Sequence, residues 1–478
     1  MNLLRYLNYF SLLLVIVGFL SCRKGEINAD GLPDTRIAFD EINLTGADRL
    51  NSSVRLSWFG SDADGYVVGY EISLDQSNWF FTEENDSTFL FEIPRGRDTA
   101  DIDFYVRSID NDGNIDPTPA LLQIPLRNTP PVANFVAERT PKDTAFIAAT
   151  VPWSAFDPDG PGNLESVEIK INDGSWTAIN LNETLLSFLP DTSVQSGEAN
   201  SEIYYGLDQE PSGVIIDGMR VNDQNQIFIR AFDIADTVSL VDTTDAFYFK
   251  PKTPGVDILL VSLQDAGITQ EYTGYFRNNN LQFDLLNYGQ QFPNFFETTV
   301  PLIFNQYRKA FINIDAADES SSSLNLFADL IQSWTNRPGN LAGKYFITTS
   351  FSKSSNIQSL TQVYPISALS IASVNGAQAR IPQDSALTPL IPGSYPDLSP
   401  VTVEFDIVPI IGSSDAIDFY RAELQLFRGW NGPSDIVATA RRRNGKIAEV
   451  FFAQQLHDFD QDPSGVEQLI GEIFKNEF

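Results

Sequence analysis

Cysteine and histidine are almost missing from this 478-residue chain, which holds one of each. No disulfide can close within it and no Cys/His zinc site can be assembled. Basic residues are scarce as well: 31 Lys and Arg stand against 63 Asp and Glu, for a net charge of −32 at pH 7. A surface that negative repels phosphate backbones, so no nucleic-acid partner is expected. No cofactor is expected either. Beyond the first residues the chain also lacks a run apolar enough for hydrocarbon. The longest uncharged stretch, Ser354 to Ala379, is rich in Ser, Gln and Asn and contains Pro365. Core-forming residues are not lacking. Hydrophobic residues make up 42%, with 35 Phe and 16 Tyr, which excludes a disordered chain. At roughly 150 residues per domain the length suggests about three domains.

The first 22 residues read as an export signal. Arg5 supplies positive charge, and Phe10 to Leu20 is an apolar run suited to a signal h-region rather than a membrane span. It ends at Phe19-Leu20-Ser21-Cys22, which resembles the lipobox of bacterial lipoproteins, with Phe19 where Leu, Val or Ile is usual. The resemblance implies removal of residues 1–21 and lipidation of Cys22. That would hold the chain as an outer membrane lipoprotein, on the periplasmic or the cell-surface face. One acyl chain binds a membrane marginally and two hold it stably. Residues 22–33, polar and punctuated by Gly and Pro, read as a tether.

An internal repeat follows. Trp58-Phe59-Gly60-Ser61-Asp62-Ala63-Asp64-Gly65 matches Trp153-Ser154-Ala155-Phe156-Asp157-Pro158-Asp159-Gly160. Tyr70 to Ser73 with Trp79 matches Val167 to Lys170 with Trp176, and Phe104 to Asp110 matches Ile227 to Asp233. The offset grows between the last two pairs, so the second copy carries an insertion, expected within Leu185 to Asp217 as a long loop or hairpin. Each copy alternates with period two between turn dipeptides such as Asp64-Gly65 and Asp173-Gly174. Copies of this size fit Ig-like sandwiches plugged by Trp58 and Trp153. The pattern resembles bacterial fibronectin type III and related Ig-like modules, which places one over 34–128 and the other over 129–252.

Asp110, Asp112, Asn114 and Asp116 alternate like the start of a Ca²⁺ loop. Gly113 stands fourth rather than sixth and no Glu closes the ring, so a plain turn is the reading. Asp458, Asp460 and Asp462 read the same way. No metal site is expected.

From 253 onward the texture changes. Val256 to Ser262 is a continuous apolar run of the kind found in parallel sheets, and Phe283–Tyr288, Lys309–Ile314 and Lys344–Thr349 read as further strands. Ser320 to Thr335 reads as a helix capped near Asp318, with Leu324, Phe327, Ala328, Ile331 and Trp334 on one stripe. Asn444-Gly445 marks a tight hairpin, and a last helix spans about Val466 to Phe474. Strands alternating with helices mean an α/β domain over 253–478. The order, ending at Phe451 to His457, resembles the class I glutamine amidotransferase-like, flavodoxin-like domain. The resemblance implies a three-layer fold. It also shows what is missing. Thr348-Thr349-Ser350-Phe351-Ser352 stands where that family carries a Cys between glycines, and Phe459 stands where a Glu follows the family's His.

The thiol nucleophile is therefore absent. The expected function is a non-catalytic binding or scaffolding role in the cell envelope, a degenerate enzyme domain meeting an outer-membrane protein or a glycan. One alternative is a serine hydrolase using Ser350 or Ser352 with His457 as base and Asp458 or Asp460 to orient it. The other is a carbohydrate-binding surface lipoprotein of a glycan-uptake system. Trp79, Trp176, Trp334 and Trp430 are the candidates for an exposed aromatic platform.

Overall fold

The computed structural model describes residues 31–38, 49–207, 210–288, 299–315, 322–371, 379–426 and 429–478. Cys22, most of the tether and the cap expected near Asp318 lie outside them. The chain divides into two compact units. Unit 1 comprises Met1–Ala133, Ala155–Val167 and Arg230–Val241, and unit 2 comprises Asn134–Ser154, Glu168–Ile229 and Asp242–Phe478.

The first repeat folds as seven strands: β1 (Asp34–Ile37), β2 (Ser53–Ser61), β3 (Val67–Ser73), β4 (Phe80–Thr82), β5 (Asp86–Leu90), β6 (Thr99–Asp110) and β7 (Ala120–Arg127). They form two sheets, β1-β2-β5 and β4-β3-β6-β7, the layout of an Ig-like sandwich. Alternation decides which side chains go inside. Val54, Leu56 and Trp58 of β2 are buried while Arg55 between them is exposed. Trp58 meets Tyr70, Phe89 and Phe104 with ring centroids 6.0–6.3 Å apart.

The second repeat runs through β8 (Val132–Phe135), β9 (Thr144–Phe146), β10 (Ala149–Phe156), β11 (Leu164–Ile171), β12 (Thr177–Ile179) and β13 (Leu185–Pro190). It continues through β14 (Gly197–Tyr205), β15 (Ile215–Val221), β16 (Gln224–Asn225), β17 (Ile227–Asp233), β18 (Asp242–Thr243) and β19 (Phe247–Lys250). Sheets β8-β10-β13 and β12-β11-β17-β18 repeat the layout of the first copy, so both modules are β-sandwiches. The additional length lies in the hairpin β14–β15, which widens the first of these sheets. Strands β16, β19 and β9 form a separate small sheet.

The C-terminal part begins with β20 (Ile258–Ser262), α1 (Ala266–Asn278), β21 (Asp284–Asn287), α2 (Thr299–Phe304), β22 (Lys309–Asn313), α3 (Ser322–Thr335) and β23 (Lys344–Thr348). There follow β24 (Ile366–Leu369), β25 (Ala379–Ile381), β26 (Leu387–Pro389), β27 (Glu404–Ile407), β28 (Ile410–Gly412), β29 (Ile417–Ala422), β30 (Ile436–Arg443), β31 (Lys446–Phe452) and α4 (Pro463–Glu472). Five strands are parallel, in the order β21-β20-β22-β23-β31. The sheet then continues antiparallel through β30, β28 and β24, with β29 and β26 branching from β30.

Alternate residues of the parallel strands feed two cores. Leu259, Ala310 and Tyr345 pack with Phe304, Leu324, Phe327 and Trp334 of α2 and α3. Leu260, Phe311 and Phe346 pack with Tyr272 and Phe276 of α1 and with Leu469 and Ile470 of α4. Gly343 lets the chain pass under Trp334, since a Cβ there would sit 2.2 Å from the indole Cδ2. Asn444 and Gly445 turn β30 into β31 with φ of 54° and 81°, the left-handed pair that a tight hairpin needs. The antiparallel extension between 366 and 443 goes beyond the α/β pattern read in the sequence. Its first strands are three or four residues long and set among Pro and Ser, too short to show alternation. Among the described residues no helix is long and apolar enough to cross a membrane.

Candidate functional site

The parallel strands end together in a polar row. Ser262 pairs in register with Asn287 on one side and Asn313 on the other, and Asn313 pairs with Thr348. Side chains alternate along a strand, so Ser262, Asn313 and Thr348 share the face of Leu260, Phe311 and Phe346, beneath α1 and α4. Each strand thus exchanges an apolar side chain for an amide or hydroxyl at its carboxyl end. All four row residues are buried.

Most of these groups are satisfied by the segments that follow the strands. Ser262 Oγ lies 2.7 Å from Thr269 Oγ1 of α1. Thr348 Oγ1 donates to the Gln454 carbonyl at 2.7 Å and accepts from Leu456 N–H at 3.2 Å. Gln264 Nε2 donates to Gln455 Oε1, and Gln455 Nε2 donates to the Ile314 carbonyl at 2.7 Å. Asn313 is the exception. It is fully buried, yet neither its amide oxygen nor its amide nitrogen has a partner among the described residues, and Asn287 Oδ1 also lacks one. An amide left so costs about 1–3 kcal/mol unless water or a ligand meets it. Asn313 and Asn287 were not singled out in the sequence, although Asn313 stands between Ile312 and Ile314 in an otherwise apolar run.

His457 sits beside this row on the turn after β31. Its backbone N–H donates to Tyr272 Oη at 3.1 Å, and its Nδ1 lies 3.3 Å from the same hydroxyl. Nε2 lies 3.6 Å from Asp458 Oδ1. Burial raises Asp458 above the usual carboxylate range, and the adjacent imidazole offsets part of that shift. Burial also raises Asp460, although a hydrogen bond from Tyr275 Oη at 2.5 Å favours its ionised form. The two serines are elsewhere engaged or unengaged. Ser352 is exposed, with its Oγ 3.1 Å from both Ser354 Oγ and Ser355 Oγ, and Ser350 is half-buried. Neither hydrogen-bonds to His457 among the described residues.

The row itself is uncharged, with the carboxylates of Asp265 and Asp458 beside it. The α1 N-terminus, where an anion would otherwise dock, is capped by Asp265, whose Oδ1 accepts from Ile268 N–H at 3.0 Å. A phosphate would meet that carboxylate, so the edge suits an uncharged ligand with both donors and acceptors.

The alternating acidic loop is a hydrogen-bonded turn. Asp110 Oδ1 accepts from Asp112 N–H and Asn114 N–H, and Oδ2 accepts from Asn114 Nδ2. These bonds outweigh the effect of burial and hold Asp110 below its ordinary pKa. Asp116 accepts from Thr35 N–H and from Thr118 N–H and Oγ1. Of the tryptophans, Trp334 is core, Trp79 lies under the Arg107 guanidinium at 3.8 Å, and Trp176 lies 5.2 Å from Lys170 Nζ. Trp430 lines a cleft.

No protein-family model matches the chain, and no curated protein matches it significantly. Among solved structures it is similar to the fibronectin(III)-like modules of CbhA from Clostridium thermocellum, at 14% identity over 46% of this chain and 95% of that one, with a TM-score of 0.16. It is also similar to dimeric latent PorU from Porphyromonas gingivalis, at 12% identity over 47% of this chain and 21% of that one, TM-score 0.15. The extracellular cadherin domains 3–6 of protocadherin gamma B2 match at 9% identity over 48% and 56% of the two chains, TM-score 0.17.

Proposed function

We propose that this chain is a lipid-tethered protein of the bacterial cell envelope that binds or scaffolds, with a head derived from an enzyme fold and no catalytic role. The parallel order β21-β20-β22-β23-β31 places the second strand outside the first and the rest in sequence, which supports a flavodoxin-like reading of residues 253–478. In that layout ligands lie beyond the carboxyl ends of the strands, where the order reverses between β20 and β22. Asn313 ends β22 at that point.

The observation that carries the proposal is the chemistry there: a buried amide without a partner beside a histidine held by Tyr272. It offers hydrogen bonds and no activated nucleophile. Anchoring rests on the lipobox-like sequence ending at Cys22, and the two sandwiches are read as fibronectin type III-like spacers. The outer membrane is the proposed location.

A mild-detergent pull-down of the tagged full-length chain, Cys22 intact, from its own membranes tests this. Recovery of a stoichiometric outer-membrane partner is the expected result. Recovery of the chain alone, together with an esterase activity that His457→Ala abolishes without unfolding, would overturn it.

A further inference from the structure

We propose that the open cleft beside Trp430 binds an uncharged oligosaccharide. The inference is independent of the lipid tether and of the carboxyl edge, because the cleft is built mainly from the antiparallel extension. It lies along the pairing of β26 with β29 and encloses about 930 Å³, within the roughly 300–1,000 Å³ of small-ligand clefts.

Its lining decides the ligand class. Asp384 and Glu423 are exposed and make no hydrogen bond among the described residues. The one guanidinium, from Arg421, is already taken by Asp435 at 2.6 Å. An anion would therefore meet two unpaired carboxylates and no free positive charge, which excludes sulfated or uronic sugars and phosphates. A cationic peptide would find the same acceptors, with one aromatic ring, Trp430, to lie against, and is the competing ligand. That ring is partly covered: Gly432 lies so close that a Cβ would sit 2.2 Å from the indole Cζ2.

A sugar matches what remains. Each hydroxyl both donates and accepts, and the lining offers the acceptors Asp384 and Glu423 together with the amides of Gln461 and of Gln383, whose Nε2 already donates to the Val401 carbonyl at 2.9 Å. The apolar C–H face of a pyranose has only the part of the half-buried Trp430 indole that lines the cleft to rest on. The indole N–H has no acceptor among the described residues, and the ring is held by packing against the core beneath α1 and α4, with Gly432 close by. Such an anchor contributes through its face and not through its N–H.

The test uses the full-length chain on an array of neutral, sulfated and uronic oligosaccharides with a lysine-rich peptide as a further probe, followed by titration calorimetry of the best neutral glycan. Neutral glycans are expected to bind, with affinity insensitive to salt. Trp430→Ala is expected to weaken binding about tenfold or more, and the exposed-site variants Glu423→Gln and Gln461→Ala about threefold each. If Trp430→Ala unfolds the chain, those two variants carry the test alone. Absence of neutral glycan binding, capture of only acidic sugars or the peptide, or full affinity in all three variants would each overturn the proposal. None of these results depends on whether the membrane pull-down recovers a protein partner.

Discussion

The two repeats carry closely similar Asp-x-Asp-Gly segments, with Ala63 in one and Pro158 in the other, and use them differently. In the first copy Ala63, Asp64 and Gly65 are exposed and Asp62 is half-buried, and Asp64 accepts from the Gly31 N–H at 3.3 Å. In the second copy Asp157 and Asp159 are buried. Asp159 accepts from Ser52 Oγ of the first sandwich and from Thr129 N–H, while its carbonyl accepts from Asn163 Nδ2 at 2.7 Å. Nearby Asp233 accepts from Asn128 Nδ2 and from the N–H groups of Ala235 and Thr237. These contacts all fall inside unit 1, which is why the segments Ala155–Val167 and Arg230–Val241 cluster with the first sandwich. Closely matching local sequence, with Ala63 in one copy and Pro158 in the other, thus gives a largely exposed segment in one place and a clasp on residues 128–129 in the other. The difference lies in what surrounds the carboxylates.

The sharpest way to break that comparison is to remove one carboxylate from each copy. Asp159→Ala leaves the Ser52 hydroxyl and the Thr129 N–H buried without an acceptor, and is expected to cost about 2–3 kcal/mol. Asp64→Ala, at the corresponding exposed position, is expected to leave the unfolding midpoint close to wild type. Urea denaturation of the two variants decides it, and equal losses would show that the clasp contributes no more than the solvated turn.

A smaller effect has the opposite sign. Burial pushes Asp157 up to about 6, with the neighbouring charges of Asp159 and Asp233 adding to it. Its Oδ1 accepts from Asp159 N–H at 2.7 Å, but Oδ2 has no partner among the described residues. A carboxyl whose native pKa lies above its unfolded value holds its proton more tightly in the fold. Its contribution is therefore fully favourable below about pH 4 and is lost as the pH rises through 6. Asp157→Asn keeps the Oδ1 acceptor and removes the charge. It should exceed wild type in stability above pH 6 by on the order of 1 kcal/mol once solvent screening is allowed for. Thermal melts at pH 4 and pH 7 measure this, and a gap that does not change with pH would sink the idea.

How much of this was legible in the sequence varied with the physics of each region. The sandwich cores were legible because period-two alternation and a recurring tryptophan are local signals, as in Val54, Leu56 and Trp58. The parallel strands were legible because Ile258 to Ser262 and Lys309 to Asn313 are apolar on both faces. Helix α1 escaped notice, since Gly267, Gly274, Thr269 and Thr273 lower its intrinsic propensity. It is held by burial of Tyr272, Tyr275 and Phe276 and by the Asp265 cap. The Trp430 cleft was hidden for a different reason. Its lining comes from segments spread between 383 and 461, and no local pattern announces which of them meet. The clasp was hidden likewise, because Asp64 and Asp159 occupy matching positions and the groups that meet Asp159, on Ser52 and Thr129, come from elsewhere in the chain.

The two core tryptophans sharpen the comparison most finely. Trp58 and Trp153 occupy matching positions on β2 and β10, and each is 2% exposed. Trp58 Nε1 donates to the Glu84 carbonyl at 3.1 Å, whereas Trp153 Nε1 is buried with no acceptor among the described residues. Substitution by Phe removes comparable ring volume from both cores, so the cavity cost is shared. At Trp58 it also deletes a hydrogen bond, and at Trp153 it deletes an unsatisfied donor whose desolvation was already a cost. Trp58→Phe is therefore expected to destabilise more than Trp153→Phe, by about 0.5–1 kcal/mol. Denaturation of each variant, read through the fluorescence of the remaining tryptophans, gives the difference. A larger loss at Trp153 would mean that ring packing rather than hydrogen-bond satisfaction separates the two cores.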